Sequence, residues 1–151
     1  MITYRQMQAI DLPVVTSMEK AIYPKDAWSN AQFKEELAGV PKNRSYIVAL
    51  HDESEIVGYA GVFSPAHGID ADIHTLTVAE AHRRQGIGRA MLEQLITWAK
   101  DRGAPAIFLE VREGNDEASP LYVSAGFEAI SRRDDYYASG VHAVVMKKEL
   151  Q

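Results

Sequence analysis

Cysteine is absent from the sequence. This excludes disulfides, thiolate nucleophiles and cysteine-based zinc sites, although it does not identify a compartment. Apolar runs of about eighteen residues are absent too, so no segment is predicted to span a membrane. The stretch from Met1 to Asp11 lacks the apolar centre of a secretory signal. We therefore predict a cytoplasmic protein.

Positive charge is in deficit, with 16 Lys and Arg against 21 Asp and Glu and a formal net charge of -5. Nucleic-acid binding needs clustered basic residues, so no nucleic-acid partner is expected. A length of 151 residues with 46% hydrophobic residues fits one domain over residues 1–151 that is large enough to bury a core. We expect a monomer or a weak dimer.

Hydrophobic periodicity predicts an α/β (α+β) fold, a mixed sheet of about seven strands with four helices, in the order β-α-α-β-β-β-α-β-α-β-β. Asp11 is predicted to cap a helix to about Lys20, and Ser29 with Gln32 forms a capping box. The helix from about Gly88 to Arg102 carries two apolar rows. The predicted strands are Ile2–Arg5, Ser45–Leu50, Glu55–Phe63, Asp70–Val78, Ala106–Val111, Phe127–Tyr137 and His142–Lys148.

A glycine-containing segment, Arg83–Arg89, lies between a strand and that helix. Gly86 and Gly88 let the backbone approach a ligand, and the first turn of a helix offers unpaired N–H groups to an anion. The glycines alone support equally a pyrophosphate site and a plain turn with solvated arginines. A Walker loop is excluded because Arg89 follows the second glycine. A dinucleotide fingerprint is excluded because Met91 replaces its third glycine.

Several polar and aromatic residues have two possible interpretations at this stage. The alternation of Asp70, Asp72 and His74 suggests a metal site, but a solvated polar strand face is favoured because no fourth ligand is evident; no metal is predicted. By spacing alone, Glu110 could point to water or pair with a neighbouring arginine, and Tyr122 could be a core aromatic.

A family resemblance adds to this pattern. The sequence Arg-x-x-Gly-x-Gly after Thr75–Val78 resembles the coenzyme A signature of the GNAT acetyltransferase superfamily. Further segments resemble its RimI type, the ribosomal-protein alanine N-acetyltransferases, over nearly the whole chain. These segments are Trp28-Ser29, Leu109-Glu110-Val111-Arg112, Asn115, Leu121-Tyr122, Gly126-Phe127, Arg132-Arg133 and Tyr136-Tyr137.

The resemblance implies a GNAT fold, acetyl-coenzyme A as co-substrate, Glu110 as general base and Tyr122 as general acid. A backbone N–H near Leu76 would stabilise the oxyanion. Trp28, Tyr136 and Tyr137 would line the acceptor groove; the alternatives are a staple for Trp28 and an inward–outward alternation of the two tyrosines. The implied cofactor contacts are Leu76, Thr77, Val78, Arg84, Gln85, Gly86, Ile87, Gly88, Arg89 and Asn115.

The expected reaction is direct acetyl transfer to the N-terminal α-amine of a protein, with a ribosomal protein that starts with Ala as the expected partner. Keeping an α-amine neutral at pH 7 costs about 3.5 kcal/mol less than keeping a lysine neutral, so one carboxylate suffices as base. The alternatives are a small-molecule amine, a lysine side chain, or a non-catalytic acyl-coenzyme A module. The presence of Glu110 and Tyr122 counts against the last.

Overall fold

The structure is a computed structural model that describes residues 1–113 and 119–150. Its strands and helices follow the predicted order, so the predicted architecture is confirmed. The strands are β1 (Ile2–Gln6), β2 (Arg44–His51), β3 (Glu55–Phe63), β4 (Ala71–Val78), β5 (Ala106–Arg112), β6 (Glu128–Ala138) and β7 (Val141–Glu149). The helices are α1 (Leu12–Ile22), α2 (Asn30–Leu37), α3 (Ile87–Asp101) and α4 (Ser119–Ser124).

All strands join one seven-stranded sheet in the order β1-β2-β3-β4-β5-β7-β6. β4 and β5 pair in parallel, and the other pairs are antiparallel. Within the described part of the chain, no helix combines the length and hydropathy needed to cross a bilayer.

Apolar side chains form two buried clusters. The larger contains the predicted apolar rows of α3, including Met91, Leu92 and Leu95, together with inward residues of β3, β4 and β5. The smaller joins α1 and α2 to the sheet through Val15, Phe33 and other buried residues. The sheet is therefore covered by α3 at one cluster and by the two N-terminal helices at the other.

The two predicted N-terminal caps have different outcomes. Ser29 accepts a hydrogen bond from the Gln32 N–H and the Gln32 side chain accepts one from the Ser29 N–H, so the capping box is confirmed. Asp11 makes no side-chain cap on α1, so that prediction is wrong. Its carboxylate instead accepts bonds from the Arg5 guanidinium and the Gln8 N–H, and these donors replace the helix N–H groups.

The parallel pairing of β4 with β5 is very short. Only Ala71 with Ile107 and Asp72 with Phe108 are in register among the described residues. On its other side, β4 carries a bulge at His74, because Gly61 pairs with Thr75 while Val62 pairs with Ile73. Beyond this point β4 and β5 separate, and the gap between them positions the site.

Candidate active site

The gap between β4 and β5 opens into a cleft of about 1420 Å³. One end reaches the start of α3 and the other lies between the α1–α2 connection and β6. Its wall includes Tyr23, Trp28, Glu36, His74, Leu76, Thr77, Val78, Arg84, Gly86, Gly88, Glu110, Leu121, Tyr122, Tyr136 and Tyr137. The cleft therefore brings together most of the residues predicted for the site, although they come from seven different segments of the chain.

The segment before α3 has the geometry of an anion site. Gly86 is the N-cap of α3 with φ +83°, a left-handed conformation that favours glycine. A Cβ at Gly88 would come within 3.3 Å of Leu121 and close to Val78 and Leu76, so the cleft is narrow there. The N–H groups of the first turn have no partner within the helix and lie at the positive end of its dipole.

The arginines of this segment lie in different directions. Arg84 lines the cleft with a positive φ of 64°, whereas the Arg83 Nε donates to the Val78 carbonyl at 3.1 Å. The Arg89 guanidinium binds Glu93 at 3.1 Å and Ser124 at 3.0 Å, so its side chain reaches toward α4. Of the remaining predicted contacts, Ile87 is buried in the core and Gln85 is exposed.

Backbone groups of β4 alternate between β3 and the gap. The Ala79 N–H donates to Val57 of β3 at 2.8 Å, so by alternation Thr77 faces β3 while Leu76 and Val78 face the gap. Thr77 instead contributes its buried side chain, whose Oγ1 lies 3.0 Å from the Tyr23 hydroxyl. The predicted oxyanion donor, the Leu76 N–H, therefore points into the cleft.

Glu110 lies on β5 just past the point where the two strands separate. Its side chain is 24% exposed and its Oε1 accepts a bond from Arg133 at 3.2 Å. The neighbouring Arg112, considered from sequence as a partner, forms an ion pair with Asp26 instead. Arg133 is 54% exposed, so this pair is weak and leaves the Glu110 carboxylate available at the cleft wall.

Tyr122 of α4 is 7% exposed and packs edge-on against Phe127, with 5.9 Å between ring centroids. It is thus both a core aromatic and a cleft residue. Burial raises the pKa of its phenol, and the nearby phenols of Tyr23 and Tyr137 raise that pKa further. The hydroxyl is therefore protonated at neutral and moderately alkaline pH.

The far end of the cleft is aromatic. Tyr136 and Tyr137 form an edge-to-face pair with 5.0 Å between centroids, and both face the cleft because the β6–β7 register shifts beyond Arg133. Burial, followed by Tyr136 and Glu110, raises the pKa of Tyr137 to about 12. Opposite them, Trp28 packs against Phe33 with 5.2 Å between ring centroids, as expected of a staple, and it also lines the cleft.

Two carboxylates at the cleft wall, one buried and one half-buried, were not predicted. Glu19 of α1 is 5% exposed and accepts bonds from the Tyr59 hydroxyl at 2.6 Å and the Trp28 N–H at 2.9 Å. Its sequence signal was its place on the buried face of α1, four residues after Val15. Glu36 of α2 offered no such signal, since its partners come from β2 and β4.

The strand face with Asp70, Asp72 and His74 is only partly solvated, since all three residues are half-buried. Glu36 of α2 contacts His74 at 2.8 Å, and burial is the main cause that raises the pKa of Asp72. Within residues 1–113 and 119–150, no group of three or more His, Asp or Glu side chains could hold a metal. Asn115 lies outside the described residues.

Comparison with known proteins decides the family. The model of the acetyltransferase (GNAT) family matches residues 12–127, which is most of the chain. The chain belongs to the GNAT family. As a GNAT protein it is an acetyl-coenzyme A-dependent N-acetyltransferase.

Several relatives of this GNAT chain are of the RimI type. It is 37% identical over 127 residues to the N-alpha-acetyltransferase RimI of Mycobacterium tuberculosis, covering 82% of this chain and 77% of that protein. It is also 37% identical over 145 residues to an uncharacterized protein of Mycobacterium leprae, covering 93% of this chain but only 39% of that longer protein. The crystal structure of the ribosomal-protein-S18-alanine N-acetyltransferase of Escherichia coli superposes with a TM-score of 0.82 at 25% identity, covering 100% of this chain and 95% of that one.

The GNAT cleft fits the acetyl-coenzyme A that this family uses. A glycine-opened helix end suits a pyrophosphate, and a gap lined by strand backbone that β4 and β5 do not share with each other suits an amide-containing arm. A Cβ at Gly88 would narrow the passage between these two parts. The cleft thus has a polar end at the start of α3 and another end lined by side chains of β4, β5 and β6.

Proposed function

We propose that the chain transfers acetyl from acetyl-coenzyme A to the N-terminal α-amine of a protein, with a ribosomal protein that begins with Ala as acceptor. The observation that carries the proposal is the position of Glu110. Its carboxylate stands where β4 and β5 separate, and Leu76 and Tyr122 line the same cleft. The names of the similar Mycobacterium tuberculosis and Escherichia coli proteins support the same acceptor class.

In the proposed binding mode the chain holds the cofactor mainly by its backbone. The first-turn N–H groups of α3 at Gly86, Ile87 and Gly88 receive the pyrophosphate, with Arg84 adding charge. The Leu76 and Val78 backbone groups receive the pantetheine arm. The Leu76 N–H then donates to the developing oxyanion, an interaction worth about 3 kcal/mol.

Glu110 and Tyr122 have opposite roles in proton transfer. Glu110 accepts a proton from the attacking nitrogen, directly or through one water. The Tyr122 phenol, kept protonated by burial, donates to the departing thiolate. Because the sequence contains no cysteine, transfer takes place directly in a ternary complex, without an acyl-enzyme.

The acceptor end favours an extended peptide over a compact amine. Trp28 on one side and the pair of Tyr136 and Tyr137 on the other form apolar walls beyond Glu110. At pH 7 about one α-amine in ten is already neutral, and one carboxylate can accept the proton that the charged form must lose.

The test is a panel of short peptides that differ in their first residue, assayed beside free lysine, spermidine and a peptide whose α-amine is blocked but which contains an internal lysine. We expect acetylation of α-amines with a preference for N-terminal Ala, and no product from the blocked peptide. A preference for spermidine or for the internal lysine would refute the acceptor assignment.

A further inference from the structure

His74 occupies the bulge of β4 and lines the same cleft as Glu110. We propose that His74 is a second proton acceptor of this enzyme and that Glu36 is the residue that positions it. The proposal extends the proposed mechanism, but it requires only that the acceptor arrives as a primary ammonium ion, whichever molecule carries that group.

The chemistry calls for two acceptors. An ammonium nitrogen enters with three hydrogens and leaves as an amide nitrogen with one, so it loses two protons in each turnover. One must leave before attack, because a charged ammonium has no lone pair. The other leaves once the C–N bond forms. Glu110 can accept only one proton at a time, so a second group beside the cleft completes the sequence.

The His74 ring is held in one orientation. Its Nδ1 lies 2.8 Å from Glu36 Oε1, and its ring stacks on Phe63 with the two ring planes 23° apart. The ring also lies edge-on to Trp28, with 6.3 Å between the ring centroids. The bulge provides this direction, since the extra residue of a bulge is re-aimed relative to its strand. A fixed imidazole of this kind can accept a proton at its other ring nitrogen.

Glu36 stays negative and fixes the tautomer. The same oxygen accepts bonds from Arg44 at 2.9 Å and from the Tyr46 hydroxyl at 2.8 Å. Burial pushes the pKa of Glu36 up, but the hydrogen bonds from His74, Arg44 and Tyr46 outweigh it and lower that pKa to about 2. A carboxylate is purely an acceptor, so the hydrogen shared with His74 sits on Nδ1 and the lone pair is on Nε2.

The other ring nitrogen faces the cleft. Within residues 1–113 and 119–150, His74 Nε2 has no hydrogen-bond partner, and it is not among the buried unpaired polar atoms, so it is open to solvent. The charged groups that face the ring are Glu36 of α2 with its partner Arg44 of β2, and Asp72 of β4.

The proposed sequence balances. The acceptor ammonium gives its first proton to His74 Nε2, which leaves an imidazolium against the Glu36 carboxylate. The nitrogen lone pair then forms the C–N bond as the C–S bond breaks. Its second proton passes to Glu110, and the thiolate takes a proton from Tyr122. Tyr122 is reprotonated from the solvent, to which His74 and Glu110 release their two protons, so one proton is released per acetyl group transferred.

The test compares His74→Phe with wild type by measuring kcat/KM for an Ala-starting peptide between pH 6.5 and 9.5. Phenylalanine keeps the stacking but cannot accept a proton. At pH 6.5 only about one α-amine in twenty is neutral, whereas at pH 9.5 nearly all are. We expect a loss of about twentyfold at pH 6.5, the factor by which the neutral amine is depleted, that shrinks to less than about threefold at pH 9.5.

Two controls separate this role from a structural one. His67→Gln, at an exposed residue of the β3–β4 connection, should match wild type at every pH. Glu110→Gln should keep its defect at pH 9.5, because the second proton must leave whatever the charge of the free amine. A His74→Phe defect that is equal at all pH values, or absent, would overturn the proposal.

A measurement independent of turnover examines the tautomer. The ¹⁵N chemical shifts of the His74 imidazole in the neutral state should show the proton on Nδ1; a proton on Nε2 would overturn the proposal.

If wild type acetylates spermidine and no peptide, the acceptor assignment fails. The same pH comparison is then run with spermidine around its own pKa, so the two proposals fail separately.

Discussion

Replacing Gly88 with Ala should separate stability from cofactor binding. Gly88 is the second residue of α3, where its φ is not left-handed, so Ala fits the backbone. The new Cβ would lie 3.3 Å from a terminal methyl of Leu121, which can move by the few tenths of an ångström required. Ala is the better helix former by up to about 1 kcal/mol. We expect a free energy of unfolding that is unchanged or raised by about 0.5–1 kcal/mol.

Cofactor binding should respond in the opposite way. The added methyl group lies between Leu121, Val78 and Leu76, where the cleft passes from the helix end to the strand gap. Displacing the ligand there by part of an ångström should weaken acetyl-coenzyme A binding about tenfold or more, as seen by calorimetry, while the melting temperature stays level or rises by about 2–4 °C.

Gly86→Ala is the matched control. No atom lies within 4 Å of the added Cβ, but φ is +83°, so strain alone should cost about 1–2 kcal/mol of folding stability. Equal cofactor affinity in Gly88→Ala and wild type would show that the ligand does not pass this point, and the assignment of the phosphate and pantetheine sites would fail.

Three further predictions concern the carboxylates and the phenol. Glu110→Gln should lower kcat by about a hundredfold or more with cofactor affinity unchanged, measured by steady-state kinetics and calorimetry; normal turnover would remove Glu110 from the mechanism. Tyr122→Phe keeps the packing on Phe127, so kcat should fall about tenfold or more while the melting temperature changes little; a collapse of stability with normal kcat would make Tyr122 purely structural. The pKa of Glu36 is about 2 in the folded state, against an ordinary value of 4.5. The stability that the Glu36 carboxylate gives the fold is therefore fully present above pH 4.5 and is lost as pH falls toward 2. Urea unfolding should therefore show a deficit of about 3 kcal/mol for Glu36→Gln at pH 6 that narrows at pH 3, and a constant deficit would contradict the assigned charge.

Local patterns were enough to predict much of the fold. The Ser29–Gln32 box, the apolar rows of α3 and the glycines before it depend on residues a few positions apart, and all appear in the structure. Interactions over longer distances were not predictable in this way. Asp is a favourable N-cap residue, but the Asp11 carboxylate accepts hydrogen bonds from Arg5, a residue of the adjacent strand.

The residues of the candidate site also differ in whether the sequence could indicate them. Glu110 and Tyr122 were placed through a family pattern, while the role of Glu36 depends on residues 8, 10 and 38 positions away along the chain. The bulge at His74 arises from pairing with β3 and has no local signal. A histidine that alternates with aspartates was therefore interpreted as solvated, although in the folded chain it is half-buried and contacts Glu36 of α2.

The early separation of β4 from β5 has a consequence for handling the protein. Two neighbouring strands carry main-chain donors and acceptors that no other strand satisfies, and such groups can pair with a foreign chain. A ligand arm lying along them would act as a temporary extra strand. Concentrated samples kept with coenzyme A should accordingly resist aggregation better than samples without it.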